Sequence, residues 1–157
     1  MENILVICDD IWHPAEVITR GFSLLEGAEF HFDFVMTAKD ILTPERIAGY
    51  RTVINCKGNS GNREYLSFVG NHFVTHPPRC AVDVTITAQH PITEGVGDFS
   101  LRDEHYELHM LTEDITELFR TSSEKGGNQI GGYTRELGKG RLCVLTPGHT
   151  LSVWEHP

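Results

Sequence analysis

The chain has 157 residues, enough for one domain with a proper core but short for a complete doubly wound sheet. Thirteen Lys and Arg against 22 Asp and Glu give a formal charge of −9, a surface that repels phosphate backbones and anionic lipid. Nucleic acid and membrane are therefore poor partners, and no window approaches the roughly 18 apolar residues of a membrane span.

Met1-Glu2-Asn3 leads straight into a strand without a basic n-region, so no secretory signal is expected. Asn3-Ile4-Leu5-Val6-Ile7-Cys8 is a short continuous apolar run closed by Asp9-Asp10, as in a strand buried on both faces of a parallel sheet. After a loop holding Trp12-His13-Pro14, Ile18, Phe22 and Leu25 recur at helical spacing, with Gly27 as a left-handed stop. Phe30, Phe32 and Phe34 alternate with His31 and Asp33 in a second strand, less buried on one face. Thr43-Pro44-Glu45 opens a helix with a capping hydroxyl, proline at the first position and an early acid. Thr52–Cys56 makes a third strand, and this β-α-β-α-β order predicts a parallel sheet.

The second half changes character. Ala81–Thr87, Tyr106–Leu111, Glu117–Arg120 and Leu142–Leu145 are short strand-like runs between Gly, Pro and polar turns. Gly138-Lys139-Gly140 is expected to turn a hairpin between Tyr133–Glu136 and Arg141–Thr146, with Arg135 and Lys139 solvated. Ser122–Asn128 reads as a solvated loop, and Gly126-Gly127 and Gly131-Gly132 as loop glycines without a phosphate-binding fingerprint. Cys8, Cys56, Cys80 and Cys143 sit in apolar runs without CxxC spacing, which predicts buried, reduced thiols in a cytoplasmic protein.

Chemistry-bearing residues gather where the chain enters or leaves strands. His13 follows the first strand, at the carboxyl edge where open sheets bind ligands; Trp12 beside it would staple the loop to the body. His72 and His76 have the i, i+4 spacing of a helical metal clamp, but Val74, Thr75 and Pro77-Pro78 argue against a helix there. His90 precedes Pro91 in a His-Pro-Ile-Thr-Glu-Gly turn and reads as structural. In Asp103-Glu104-His105-Tyr106, strand alternation sends Glu104 and Tyr106 one way and Asp103 and His105 the other. A carboxylate beside a phenol suits hydroxyl recognition or proton transfer on a sugar. His149 follows the last strong strand, where Gly148 permits a sharp turn that aims the ring into a cleft.

In order and spacing, Gln89–Gly95, Asp103–Tyr106, Gly131–Arg141 and Pro147-Gly148-His149-Thr150 together resemble the trehalose-utilisation (ThuA-like) family. The resemblance implies a class I glutamine amidotransferase-like fold: α/β, flavodoxin-like, a mainly parallel open sheet with helices on both faces and an antiparallel hairpin extension. It also implies a role in carbohydrate utilisation, a small-molecule sugar or sugar derivative as ligand, and a homo-oligomer. His76, in its Thr-His-Pro context, matches the family's pocket histidine, and the family has a histidine in the loop of His13. Glu104 and His149 are then the acid/base candidates, with His13, His76 and Tyr106 contacting the ligand.

Two departures mark the resemblance. Asn59-Ser60 runs directly into Gly61-Asn62 where the family has several tens of residues, and the family continues past Pro157 into a helix. The reading is a single domain, 1–157, either a naturally contracted member of the family or, the favoured alternative, one with segments left out at the 60/61 junction and after the last residue. An amidotransferase nucleophile is not expected, since no cysteine has glycines two residues to either side; Cys56 has Gly58 after it but Ile54 before it. Two alternatives stay open: a non-catalytic sugar-binding or regulatory protein, and an enzyme using a divalent metal such as zinc held by some of the nine histidines.

Overall fold

The computed structural model describes residues 1–27, 29–36, 43–58 and 61–157. These fall into two compact units, Met1–Gly58 and Asn59–Pro157. Asn59 and Ser60, which border the expected gap, lie outside the described residues.

The N-terminal unit begins with β1 (Glu2–Ile7), then α1 (Ala15–Ser23), β2 (Phe30–Val35), α2 (Pro44–Ile47) and β3 (Thr52–Asn55). β1 is the centre of a three-stranded sheet in the order β2-β1-β3, parallel to both neighbours. Central placement explains the continuous apolar run, because Leu5 and Val6 are fully buried and Ile4 nearly so. Ile18 and Phe22 form the buried face of α1, and the Phe22 ring lies 4.9 Å from Phe32 and 6.4 Å from Phe34. Such tilted aromatic pairs hold the helix on the sheet. Thr43 caps α2 as expected, its hydroxyl oxygen accepting from the Arg46 N–H. The stop expected at Gly27 is not used: α1 ends at Ser23, Gly27 has no positive φ, and Leu25 is exposed.

The C-terminal unit comprises α3 (Arg63–Val69), β4 (Asn71–Thr75), β5 (Cys80–Ile86), β6 (Phe99–Asp103), β7 (Glu107–Met110), β8 (Thr116–Ser123), β9 (Gly127–Leu137), β10 (Gly140–Leu145) and α4 (Leu151–Trp154). Five strands pair in the order β10-β9-β8-β5-β6, antiparallel throughout, and β4 and β7 form a separate antiparallel ribbon. Parallel pairing is thus confined to the three N-terminal strands, and the broader sheet is antiparallel rather than a hairpin extension. β5 shows why: Cys80, Val82 and Val84 are buried while Ala81, Asp83 and Thr85 are exposed, the alternation of a sheet with one solvated face. These three pack with Leu101, Phe99, Phe119 and Val153.

Several local expectations are corrected. The loop expected over Ser122–Asn128 shrinks to a tight turn at Glu124–Gly126, because β8 runs to Ser123 and β9 starts at Gly127. Gly131 and Gly132 are not in a loop but inside β9, where an added Cβ at Gly131 would meet Phe119 and Thr121 at 2.6 Å and one at Gly132 would run into the same Phe119 ring. Arg135 is not a solvated hairpin residue: its guanidinium donates to the backbone oxygens of Ser67 (3.0 Å), Phe68 (2.7 Å) and Asp114 (3.2 Å). Cys8 and Cys80 are buried, but Cys56 is half-buried and Cys143 lies exposed on the edge strand β10. Trp12 is 70% exposed, so the stapling expected of it is not seen among the described residues. Among the described residues no helix is long and apolar enough to cross a membrane.

Candidate functional site

Four of the singled-out residues converge in the C-terminal unit. Glu104 and Tyr106 lie on the short link between β6 and β7, His76 just past the end of β4, and His149 after β10. The alternation expected at Asp103–Tyr106 holds, with Asp103 and His105 at 1% and 2% exposure and Glu104 and Tyr106 half-buried. One oxygen of Glu104, Oε2, faces both histidines: it lies 3.2 Å from Nδ1 of His149 and 3.6 Å from Nε2 of His76. All three side chains are shielded, Glu104 and His149 more than His76.

Backbone geometry fixes each imidazole. His76 precedes Pro77, which keeps it extended, and its Nδ1 donates to the Pro77 carbonyl at 2.9 Å. That bond assigns the ring tautomer and makes Nε2, on the Glu104 side, the acceptor of the neutral ring. In that tautomer neither atom donates to the other, so each keeps an acceptor lone pair. The His76 ring lies 5.7 Å from Tyr106, and Tyr106 makes an edge contact with Phe73 at 5.0 Å. The resulting aromatic wall stands beside the carboxylate.

His149 is aimed by its turn. Gly148 has φ +136°, a conformation that disfavours any side chain, so the glycine before the histidine is required. The turn is held from below by Asp103, whose Oδ2 accepts from the N–H groups of Gly148 (2.8 Å) and His149 (3.3 Å). Asp103 is a positioning residue that sequence reasoning did not single out. Its place opposite Glu104 was readable from the alternation, but its partner lies 45 residues away. Glu104 and His149 thus sit at ion-pair distance beside a turn held by Asp103.

The remaining histidines divide differently. His105 is buried between Ser123 Oγ (2.7 Å from Nδ1) and Thr121 Oγ1 (3.1 Å from Nε2). Burial pushes its pKa below the ordinary value, only partly opposed by hydrogen bonding to Thr121. His90 accepts the Ile92 N–H at 3.1 Å within its own turn. His72 lies on strand β4 opposite His109 of β7, so the helical clamp with His76 does not form. Among the described residues, no group of three or more His, Cys, Asp or Glu side chains is arranged to hold a metal ion.

His13 belongs to the N-terminal unit, on the β1–α1 loop. Asp9 there takes φ +74° and accepts the N–H of Ala15 at the start of α1. Asp10 accepts from the backbone N–H groups of Trp12, His13 and Gly58, each at 2.8 Å, and from His13 Nδ1 at 2.9 Å. Desolvation opposes ionisation of Asp10, but these hydrogen bonds, His13's first, outweigh it and bring the carboxyl down to about 2.

The trehalose-utilisation (ThuA) family profile matches residues 57–157, the stretch that contains His76, Glu104, Tyr106 and His149. The chain belongs to the ThuA family. A glutamine amidotransferase of known structure from Thermotoga maritima is similar in fold to this ThuA-family chain, with a TM-score of 0.59. The likeness covers 92% of this chain and 74% of that one at 14% identity, a shared mixed α/β fold rather than a shared chemistry. No curated protein matches the chain.

Proposed function

We propose that this ThuA-family protein binds a sugar or sugar derivative in the C-terminal unit and moves protons on it. The observation that carries the reading is the single Glu104 oxygen set 3.2 Å from His149 and 3.6 Å from His76. Glu104 orients His149 as general base or acid, His76 offers an acceptor to a ligand hydroxyl, and Tyr106 supplies an apolar face for the sugar ring. His13, braced by Asp10, is proposed as a ligand-holding residue on its own loop. Amidotransferase chemistry is not supported. Burial pushes the Cys56 thiol up to about 12 and raises that of Cys8, the opposite of what a nucleophilic thiolate needs. The divalent-metal alternative lacks a ligand set among the described residues.

The test pairs turnover with saturable binding, using trehalose, its hydrolysis products and their oxidised derivatives. Glu104→Gln and His149→Asn should each lower turnover by roughly 100-fold or more while binding persists. His76→Ala and Tyr106→Ala should weaken binding instead. Saturable binding by the unaltered protein without turnover would establish the non-catalytic alternative. Full activity in both the Glu104 and His149 variants would end the acid–base assignment.

A further inference from the structure

A second cleft in the C-terminal unit has a chemistry the His/Glu group does not use. Between α3 and the sheet lies a cavity of about 430 Å³, lined by Arg63, Leu66, Ser67, Leu111, Thr112 and Arg135 among others, and no carboxylate lines it. That volume lies in the range of small-molecule sites, roughly 300–1,000 Å³. Two arginines on one cleft are unusual for a chain of charge −9. Neither Arg63 nor Arg135 has a carboxylate partner among the described residues. Arg135 is held by neutral carbonyls, those of Ser67 and Phe68 on Nη1 and that of Asp114 on Nε, which fix the guanidinium without cancelling its charge. Among the described residues no hydrogen bond engages Nη2. Capping the end of α3 accounts for Nη1, but not for a second arginine on the same cleft.

We propose that this cleft is an anion site for a phosphoryl group, carried on a small organic molecule or free. The arginines supply forked donors suited to phosphate oxygens, and the hydroxyls of Ser67 and Thr112 add neutral ones. Leu66 and Leu111 provide an apolar floor for an organic portion. The cleft is separate from the His76–Glu104–His149 group. Leu111 N–H donates to Gly70 at one end of the β4·β7 ribbon, while His76 and Tyr106 flank the other. Five residues of strand, at about 3.3 Å each, separate the two ends.

Calorimetric titration at low ionic strength with inorganic phosphate, hexose 6-phosphate and uncharged hexose tests the site. Saturable, mutually competitive binding of the two phosphates is expected, with none by the hexose at this cleft. Arg63→Glu, which places an acid in the first turn of α3 where it does not harm the helix, should abolish that binding. Arg63→Lys should weaken it by at least tenfold. Tighter binding of the ester identifies an organic phosphate as ligand, and equal affinities identify the free anion. The absence of saturable phosphate binding, or binding unchanged in Arg63→Glu, would overturn the proposal. His149→Asn should bind phosphate as the unaltered protein does, so failure of the sugar site and failure of this one are read separately.

Discussion

Each unit carries a carboxylate beside histidine, and the two are committed in opposite ways. Asp10 is wrapped by three backbone N–H groups as well as His13, so its charge is consumed in building the β1–α1 loop. Glu104, among the described residues, faces only imidazoles, at ion-pair distances, and the His149 turn is held instead by its neighbour Asp103. A carboxylate saturated by backbone donors is a structural anchor. One facing side chains, with the scaffolding delegated to another residue, keeps its lone pairs for a ligand.

The comparison can be broken most forcefully at its scaffolds. In the C-terminal unit, Gly132→Ala should destabilise by about 3 kcal/mol, since the Phe119 ring occupies the space a Cβ needs. Chemical denaturation checks this, and pairing the change with Phe119→Leu should recover part of the loss. In the N-terminal unit, Asp10→Ala should cost about 2 kcal/mol by leaving the loop N–H groups without their acceptor. A loss near zero would mean that Asp10 is no anchor.

Acid separates the units next. Asp10 is held below its unfolded value of 3.8, so its contribution is complete above pH 4 and disappears as pH falls toward about 2. His105 works from the other direction. Its folded pKa lies below the unfolded 6.5, so the unfolded chain binds more protons and stability falls once pH drops below that value. The slope is at most about 1.4 kcal/mol per pH unit, and His105→Gln should flatten it. Trp12 and Trp154 lie in different units, so single-tryptophan variants followed through acid titration report each window locally. The smallest effect sharpens the contrast. Glu104→Gln should change stability by less than about 1 kcal/mol while removing function, unlike any change at Asp10.

How far the sequence showed these arrangements follows from the range of the interactions. The N-terminal strands and both helices were readable because β1's unbroken apolar run, the spacing of Ile18 and Phe22 and the Thr43-Pro44 cap are local signals. β4 and β6 were missed, since Asn71-His72-Phe73-Val74-Thr75 and Phe99–Asp103 are short and mixed, and only their pairing with β7 and β5 defines them. The glycines of β9 read as loop because their reason is the Phe119 ring on the adjacent strand. Arg135 read as solvated because its three acceptors lie 21 to 68 residues away.

The sequence alone determined the family resemblance, the parallel order of β1, β2 and β3, and which way Glu104 and Tyr106 point, since these follow from residue order and a two-residue period. It also singled out His76, Glu104 and His149. Only the tertiary structure decided that these three meet at one carboxylate oxygen, that Asp103 holds the His149 turn, and that two arginines share a cleft without an acid. Each of those facts depends on backbone from distant parts of the chain closing on the same few ångströms, which no local pattern records.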